Sequence, residues 1–361
     1  MKNKLFFNIY YKNGTAGVAN YKNYIYRKII FVIASFIFLI ILSGIGMGVG
    51  SYSISFVDVY SEILNRLLHW GPLTTTDAIV IWDLRLPRLL TAITVGVGLS
   101  VAGASMQSMM KNPLADPFTT GISSGACLGA TLSITLGLSL IEGFYGVVLN
   151  AFILSLVPVT FIVLISQYKK ASPATMILVG ISLMFIFDAM TTYLMLKANP
   201  TTLGAAYEWT IGTLNRSSWG NLSVMFVVVL IGSIVLQYFS KSINAMNSGD
   251  IVAKSLGVNV SLMRILILIA ISIVAAGVVS FTGIISFVGL VSPHVARIFI
   301  GSDNKYLIPA SASVGASLMV FADIVAKTVV APSTLPIGIV TAMIGGSFFL
   351  FLILRQKKDL W

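Results

Sequence analysis

Charge is what this chain most lacks. Of its 361 residues only 10% are Asp, Glu, Lys or Arg, against 57% that are hydrophobic. A soluble domain carries about 25% charged residues, so there is too little polar surface here to coat a water-soluble particle. Cysteine is nearly absent: Cys127 stands alone, and no intrachain disulfide can form. The histidines, His69 and His294, are far apart in the chain, and there is no H-E-x-x-H or Cys/His cluster to suit zinc. No G-x-x-x-x-G-K-S/T loop is present, so the chain should not hydrolyse ATP itself. The G-x-G-D signature of intramembrane aspartyl proteases is missing too. The short alternating strands that a transmembrane barrel needs do not occur.

What the chain does have is apolar length. Hydrophobic runs recur at 29–49, 86–110, 119–140, 144–168, 174–197, 221–240, 262–281, 284–300, 306–330 and 335–354. Each is near the ~20 residues that cross a bilayer as a helix, and backbone groups in lipid must be satisfied within the segment. The fold class is therefore all-α, a polytopic membrane protein with about ten transmembrane helices. Residues 29–355 read as one transmembrane domain, between a polar segment 1–28 and a tail 356–361. The run 29–49 is too long for the apolar part of a signal peptide, and no A-x-A-like site follows, so it reads as a retained first span. An even number of spans puts both termini on one side. That side collects 17 Lys and Arg, and the other holds six: Arg66, Arg85, Arg88, Lys197, Arg216 and Lys327. This bias places both termini in the cytoplasm. It also explains the net charge of +11 without nucleic acid as a partner.

Between the runs, "SFVDVYSEILNRLLHW" (55–70) has apolar residues at helical spacing, with Ser55 and Asp58 resembling a capping box. It is expected to lie flat on membrane lipid. A short external helix is expected at 204–213. Only one cytoplasmic loop is long, 241–264. There Asp250 is placed to cap a short helix at 251–256, Gly249 to permit the bend before it, and Gly257 to end it.

"MMKNPLADPFTTGISSGA" (109–126) must turn at its prolines. Small residues recur every four positions on either side, at Ala92, Gly96, Ser100, Ala104 and Ser108, and at Gly121, Gly125, Gly129, Ser133 and Gly137. Such ridges let helix backbones approach closely in lipid; the wall of a wide pathway is the alternative. The start of "TTGISSGA" has the donors of an anion site, or of an ordinary satisfied cap. Asp188 and Asp323 fall inside expected spans, where a carboxylate is costly and commonly functional.

Five stretches then resemble one family. "WDLRLPRLLTAITVGVGLSVAGASMQSMMKNPLADPFTTGISSGA" (82–126), "LGVNV" (256–260), "FTGIISFVGLVSPHVAR" (281–297), "ADIVAK" (322–327) and "LPIGIVTAMIGGSFF" (335–349) are similar to FecCD-type permeases. These are the membrane subunits of ATP-binding-cassette importers for iron–siderophore complexes, haem and vitamin B12. The resemblance implies type II importer architecture: a homodimer with a pathway on its two-fold axis, two ATPase subunits below, and a substrate-binding protein outside. No cofactor is implied in this chain; ATP and Mg belong to the partner ATPase. Arg85, Arg88 and Lys327 match positions that meet the binding protein in the vitamin B12 permease. Loop 241–264, with Gly249, Asp250, Ile251, Val252, Leu256 and Gly257, is expected to grip the ATPase, and Ser172 with Pro173 matches a cytoplasmic gate.

The chain departs from the family pattern at several points. Thr334 stands where Glu is frequent, Ser347 replaces a proline, Lys327 replaces an arginine, and Pro173 replaces a threonine of the vitamin B12 permease. The function expected is permease of an importer for a bulky metal chelate in the plasma membrane. The alternative is an ion- or proton-coupled secondary transporter that uses Asp188 and Asp323.

Overall fold

The computed structural model describes residues 14–50, 52, 54–68, 76–169 and 173–355. Every regular element among these residues is helical. In chain order they are α1 (Gly14–Gly48), α2 (Phe56–Leu68), α3 (Thr76–Ile79), α4 (Leu86–Met110), α5 (Ile122–Leu136), α6 (Phe144–Lys169), α7 (Pro173–Lys197) and α8 (Pro200–Ile211). After them come α9 (Trp219–Tyr238), α10 (Ser240–Asn247), α11 (Asp250–Ser255), α12 (Val260–Thr282), α13 (Val288–Ile300), α14 (Asn304–Thr328) and α15 (Ile337–Arg355). A π-helical segment, Val80–Arg85, fuses α3 to α4, and a 3-10 turn, Pro117–Thr120, precedes α5.

Seven helices among the described residues are long and apolar enough to cross a membrane: α1, the fused α3–α4, α6, α7, α9, α12 and α14. Three shorter apolar helices, at 122–136, 288–300 and 337–351, stand where the other expected spans fall.

Two of the short helices are trimmed for stereochemical reasons. The run 119–140 yields only α5, because Gly121 (φ +87) and Gly137 (φ +66) adopt left-handed backbone at its two ends. The run 284–300 yields only α13, because the chain leaves α12 through Gly283 (φ +74) and re-enters through Phe287 (φ +70). The intervening backbone is packed rather than loose. Thr213 donates its N–H to the Thr282 carbonyl at 2.7 Å, and a side chain at Gly283 would collide with the Trp209 carbonyl. At the other end of the chain, α1 begins at Gly14, so the expected boundary at residue 28 falls inside a helix.

Burial sorts the helices. The main apolar stretch of α4 is 83% buried, and α4 packs on α9, α12, α13 and α14. Small residues make this possible. A Cβ on Gly96 would overlap the Gly315 carbonyl of α14, and Ser100 lies against Gly315 itself. Ala104 is fully buried on the same helix. On α5, Gly125 meets the α6 backbone at Leu154 and Ser155, and Gly129 meets it at Asn150 and Ala151. Gly121 packs against Pro158 and Gly180. By contrast α7 is only 17% buried and α1 only 22%.

Candidate functional site

The first half of the site is a pocket of about 440 Å³ at the first turns of α4 and the last turns of α14. Its wall contains Arg85, Arg88 and Lys327, together with Tyr52, Asn215 and Thr334. These basic residues were expected to be an exposed docking patch. Each also has partners within this chain.

Arg85 is 7% exposed and turns inward. Its Nη1 donates to the carbonyls of Met47 (2.6 Å) and Gly48 (3.4 Å), and its Nη2 to that of Tyr52. A cation here satisfies carbonyls that the end of α1 leaves without helical partners. Arg85 therefore clamps α1 to the start of α4, and its charge reaches the pocket only as part of the wall.

Arg88 and Lys327 converge on Asp323. Arg88 Nε lies 2.8 Å from Oδ1, and Lys327 Nζ lies 2.6 Å from Oδ2. The carboxylate is 3% exposed and the cations 14% and 10%. Arg88 Nη1 also donates to Asn215 Oδ1 at 2.7 Å, and the Thr334 hydroxyl approaches the same oxygen at 3.4 Å. Two cations share one anion, so this cluster is net positive before Arg85 is counted. Asp323 is thus the carboxylate that binds α14 to α4.

The π-helical turn beside the pocket had no sequence signal. It shifts the hydrogen-bond register, with Leu86 N–H bonded to the Ile81 carbonyl. The Trp82 carbonyl accepts instead from Trp219 Nε1 at 3.0 Å, and Arg66 of α2 stacks over the Trp82 ring at 4.7 Å.

The second half lies at the opposite ends of α4 and α14. Loop 241–264 folds as two helices, α10 and α11, where one was expected. Asp250 does not cap α11 as expected. Gly249 (φ +125) occupies the N-cap position, and Asp250 is the first helical residue. The reason is electrostatic: its carboxylate is held by Lys111 Nζ at 2.9 Å and by Arg264 Nη2 at 3.0 Å. The hydrogen bond from Lys111, and then Arg264, holds the Asp250 pKa below the usual carboxylate range. Asp250 thereby ties α11 to the end of α4 and the first turn of α12. Gly257 (φ +82) follows, and Val258 N–H closes on the Ala253 carbonyl at 3.0 Å, as a Schellman-type ending requires. Ala253 is buried beneath α11, whereas Ile251 (85% exposed), Leu256 (68%) and Val252 (44%) face outward.

A polar network missed by the sequence reading sits beside it. Asn244 of α10 accepts from Asn304 N and Nδ2, both at 2.8 Å, and donates to Asp303 Oδ1 at 2.8 Å. Ser108 of α4 donates to Asn304 Oδ1 at 2.9 Å, and Lys28 of α1 pairs with Asp303 at 3.6 Å. Ser108 and Asn304 alone lie 196 residues apart in sequence, so no local pattern announces the network. In consequence α4 and α14 run antiparallel, seamed by glycine and clasped at both ends. One clasp is Arg88–Asp323–Lys327 at the pocket. The other is Ser108–Asn304–Asn244 at the base of α10 and α11. Some 20 residues of α4 separate them, about 30 Å along a helix.

Of the expected gate, Ser172 lies outside the described residues, and Pro173 is the first residue of α7. Asp188 is exposed on α7. Among the described residues no group of three or more His, Cys, Asp or Glu side chains could hold a metal.

The structure thus combines helices long and apolar enough to cross a membrane with a cationic pocket at one end of the α4–α14 pair and an exposed apolar helix at the other. The chain belongs to the FecCD transport family, which it matches over residues 36–355. It is 35% identical over 326 residues to the hemin transport system permease HmuU of Yersinia pestis, covering 90% of this chain and 95% of that one. It is 37% identical over 288 residues to the cobalamin import system permease BtuC of Halobacterium salinarum, covering 78% and 75%. Its fold superposes with a TM-score of 0.80 and 29% identity on a solved inward-facing ABC transporter described as metal-chelate type, covering 90% and 99% of the two chains. The protein is a multi-pass ABC importer permease subunit. It is not itself an ATPase and carries no cofactor; ATP is bound by the partner ATPase.

Proposed function

We propose that this permease imports a bulky metal chelate, as one of two copies related by a two-fold axis, with a separate pair of ATPase subunits and an extracytoplasmic binding protein. Relatives named for hemin and cobalamin transport support that cargo class. The observation that carries the reading is the clasped α4–α14 pair, which joins the cationic pocket to α11. The pocket end faces outward and receives acidic groups of the loaded binding protein. The α11 end faces the cytoplasm, where Ile251, Val252 and Leu256 seat in a groove of the ATPase.

The charge bias supports this orientation. Lys28, Lys111, Lys241, Lys254, Arg264, Arg297 and Lys305 all belong to the α11 side. Both termini are then cytoplasmic, and the gate at Ser172 and Pro173 lies at the inner end of α7. Membership of an ABC family displaces the secondary-transport alternative. The test of cargo is to capture the binding protein on membranes containing the permease and identify its bound ligand by mass spectrometry. A metal-containing macrocycle or siderophore is expected; an amino acid, sugar or simple inorganic ion would overturn the cargo class.

A further inference from the structure

Buried cations in this chain hold local partners. Lys28 pairs with Asp303, Arg88 and Lys327 with Asp323, Arg264 with Asp250, and Arg85 with the carbonyls that end α1. Arg297, in the last turn of α13, is different. It is half-buried, and among the described residues it has no hydrogen-bond or ion-pair partner. Its Nε is buried without an acceptor, which is costly for a charged group. The ionisable side chain that acts on it is His294, one turn earlier on the same helix, and that is no anion. The C-terminal carbonyls of α13 do not fill the gap, because side chains on a helix tilt toward its N-terminus.

The surroundings of Arg297 are apolar and open. Ile298 and Phe299 beside it are 64% and 62% exposed. Phe31 of α1 stacks on Phe299 at 4.7 Å, and α1 is itself mostly unburied. On the other side the rings of Phe348 and Phe349 of α15 approach His294 at 6.3 and 6.5 Å, and Leu350 and Leu354 further along α15 are exposed. Acyl chains cover such faces of apolar helices in a bilayer. Arg297 lies three residues before Ile300, the end of α13, so it is about 5 Å from the helix end, at the depth of headgroups. A basic site between spans on the cytoplasmic side suits a lipid phosphate.

We propose that Arg297, with His294 beside it, holds the phosphate of an anionic phospholipid whose acyl chains run along Ile298, Phe299 and the outer face of α1. The guanidinium supplies the fork of donors that a phosphate accepts. The choice of the cytoplasmic leaflet rests on the importer orientation given above; the binding chemistry does not.

The test uses full-length permease purified in detergent and offered equal amounts of phosphatidylglycerol and phosphatidylcholine. Native mass spectrometry reads which lipid stays bound. The wild type should prefer phosphatidylglycerol by on the order of fivefold, which is what one basic side chain contributes at an anionic lipid surface. Arg297→Gln should remove most of that preference. Arg297→Lys should keep part of it, because the charge remains while the fork is lost. Lys254→Gln, which removes an exposed cation on α11, should leave it unchanged. His294→Glu guards against misfolding of the Arg297 variants. It retains Arg297 and supplies a carboxylate one turn away, so the cation is paired internally and the lipid preference should fall.

The wild-type preference persisting in both Arg297→Gln and His294→Glu would overturn the proposal. Displacement of the lipid by inorganic phosphate alone would assign the site to a free anion. Loss of the lipid on adding the purified ATPase would assign Arg297 to a subunit contact. Either result also overturns it. The assay is blind to orientation, so lipid preference without ATP-driven uptake refutes the importer reading alone, and ATP-driven uptake without lipid preference refutes this inference alone.

Discussion

Replacing Asp323 by Asn is the sharpest perturbation of the outer clasp. The substitution preserves shape but removes the carboxylate that pairs with both Arg88 and Lys327. Removing one partner of a buried ion pair costs about 3–5 kcal/mol, because the other charge is left uncompensated. Here two cations are stranded. Both retain slight exposure, and Arg88 keeps Asn215, so the lower end, about 3 kcal/mol, is the appropriate figure. For a chain of this size that is a drop of about 5 °C or more in unfolding midpoint.

Lys327→Met should be much milder, since it leaves Arg88 and Asp323 as a matched pair. Asp323→Asn combined with Lys327→Met should recover part of the loss, because one stranded cation goes with it. Thermal scans of the detergent-solubilised permease, read by retained monodisperse protein, measure all three. Full wild-type stability for Asp323→Asn, or no recovery in the double variant, would show that water rather than Asp323 compensates the cations.

Other expectations follow from the same geometry. Asp116, outside the spans, is fully buried; burial pushes its carboxyl up to about 6, while its bond from Phe118 N–H pulls the other way. The folded state then holds a proton that the unfolded chain releases, so stability falls as pH rises from about 4 to about 6, by about 3 kcal/mol at 1.36 kcal/mol per pKa unit. Asp116→Asn should flatten that dependence in thermal scans at pH 4.5 and 7.5, and an unchanged slope would refute the assignment. Lys327→Met, by cancelling the net charge of the clasp, should slow binding-protein association several-fold at low salt and little at high salt; surface-based kinetics would reveal a salt-independent effect as a structural one. Asp250→Ala with Leu256→Asp should leave the permease inserted but abolish stimulation of ATP hydrolysis by loaded binding protein, and normal stimulation would exclude α11 as the coupling element. Ser172→Cys in a Cys127→Ser background should crosslink to its dimer mate in the resting transporter; an intact dimer without crosslinks would place the gate elsewhere.

What could be read from the chain beforehand follows physical scale. Apolar runs near 20 residues report membrane crossing directly, so ten segments were legible at positions the helices occupy. Glycine at every fourth position reports close approach, and Gly96, Gly125 and Gly129 lie backbone to backbone with their neighbours. Gly249 and Gly257 stood out because left-handed backbone favours glycine.

The rest depends on partners distant in sequence. That the end of α1 takes up the donors of Arg85 has no signal in the sequence. Asp250 looked like a cap because its competitors, Lys111 and Arg264, lie on other elements. The Asn244–Asn304–Ser108 chain consists of common residues with no motif, and only the packing of α10 between α4 and α14 creates it. The π turn leaves no compositional trace, yet it sets the register that presents Arg85 and Arg88 to one pocket.

The central claim is that this chain passes ATP-derived work from α11 to a passage opening at the cationic pocket. Uptake of the identified chelate into vesicles holding the permease and its ATPase measures this most directly, with binding protein and nucleotide supplied on their proper sides. The account predicts uptake that requires ATP and loaded binding protein together, persists when the proton gradient is dissipated, and fails with Asp250→Ala/Leu256→Asp. Uptake driven by a proton gradient alone, without ATP, would contradict it.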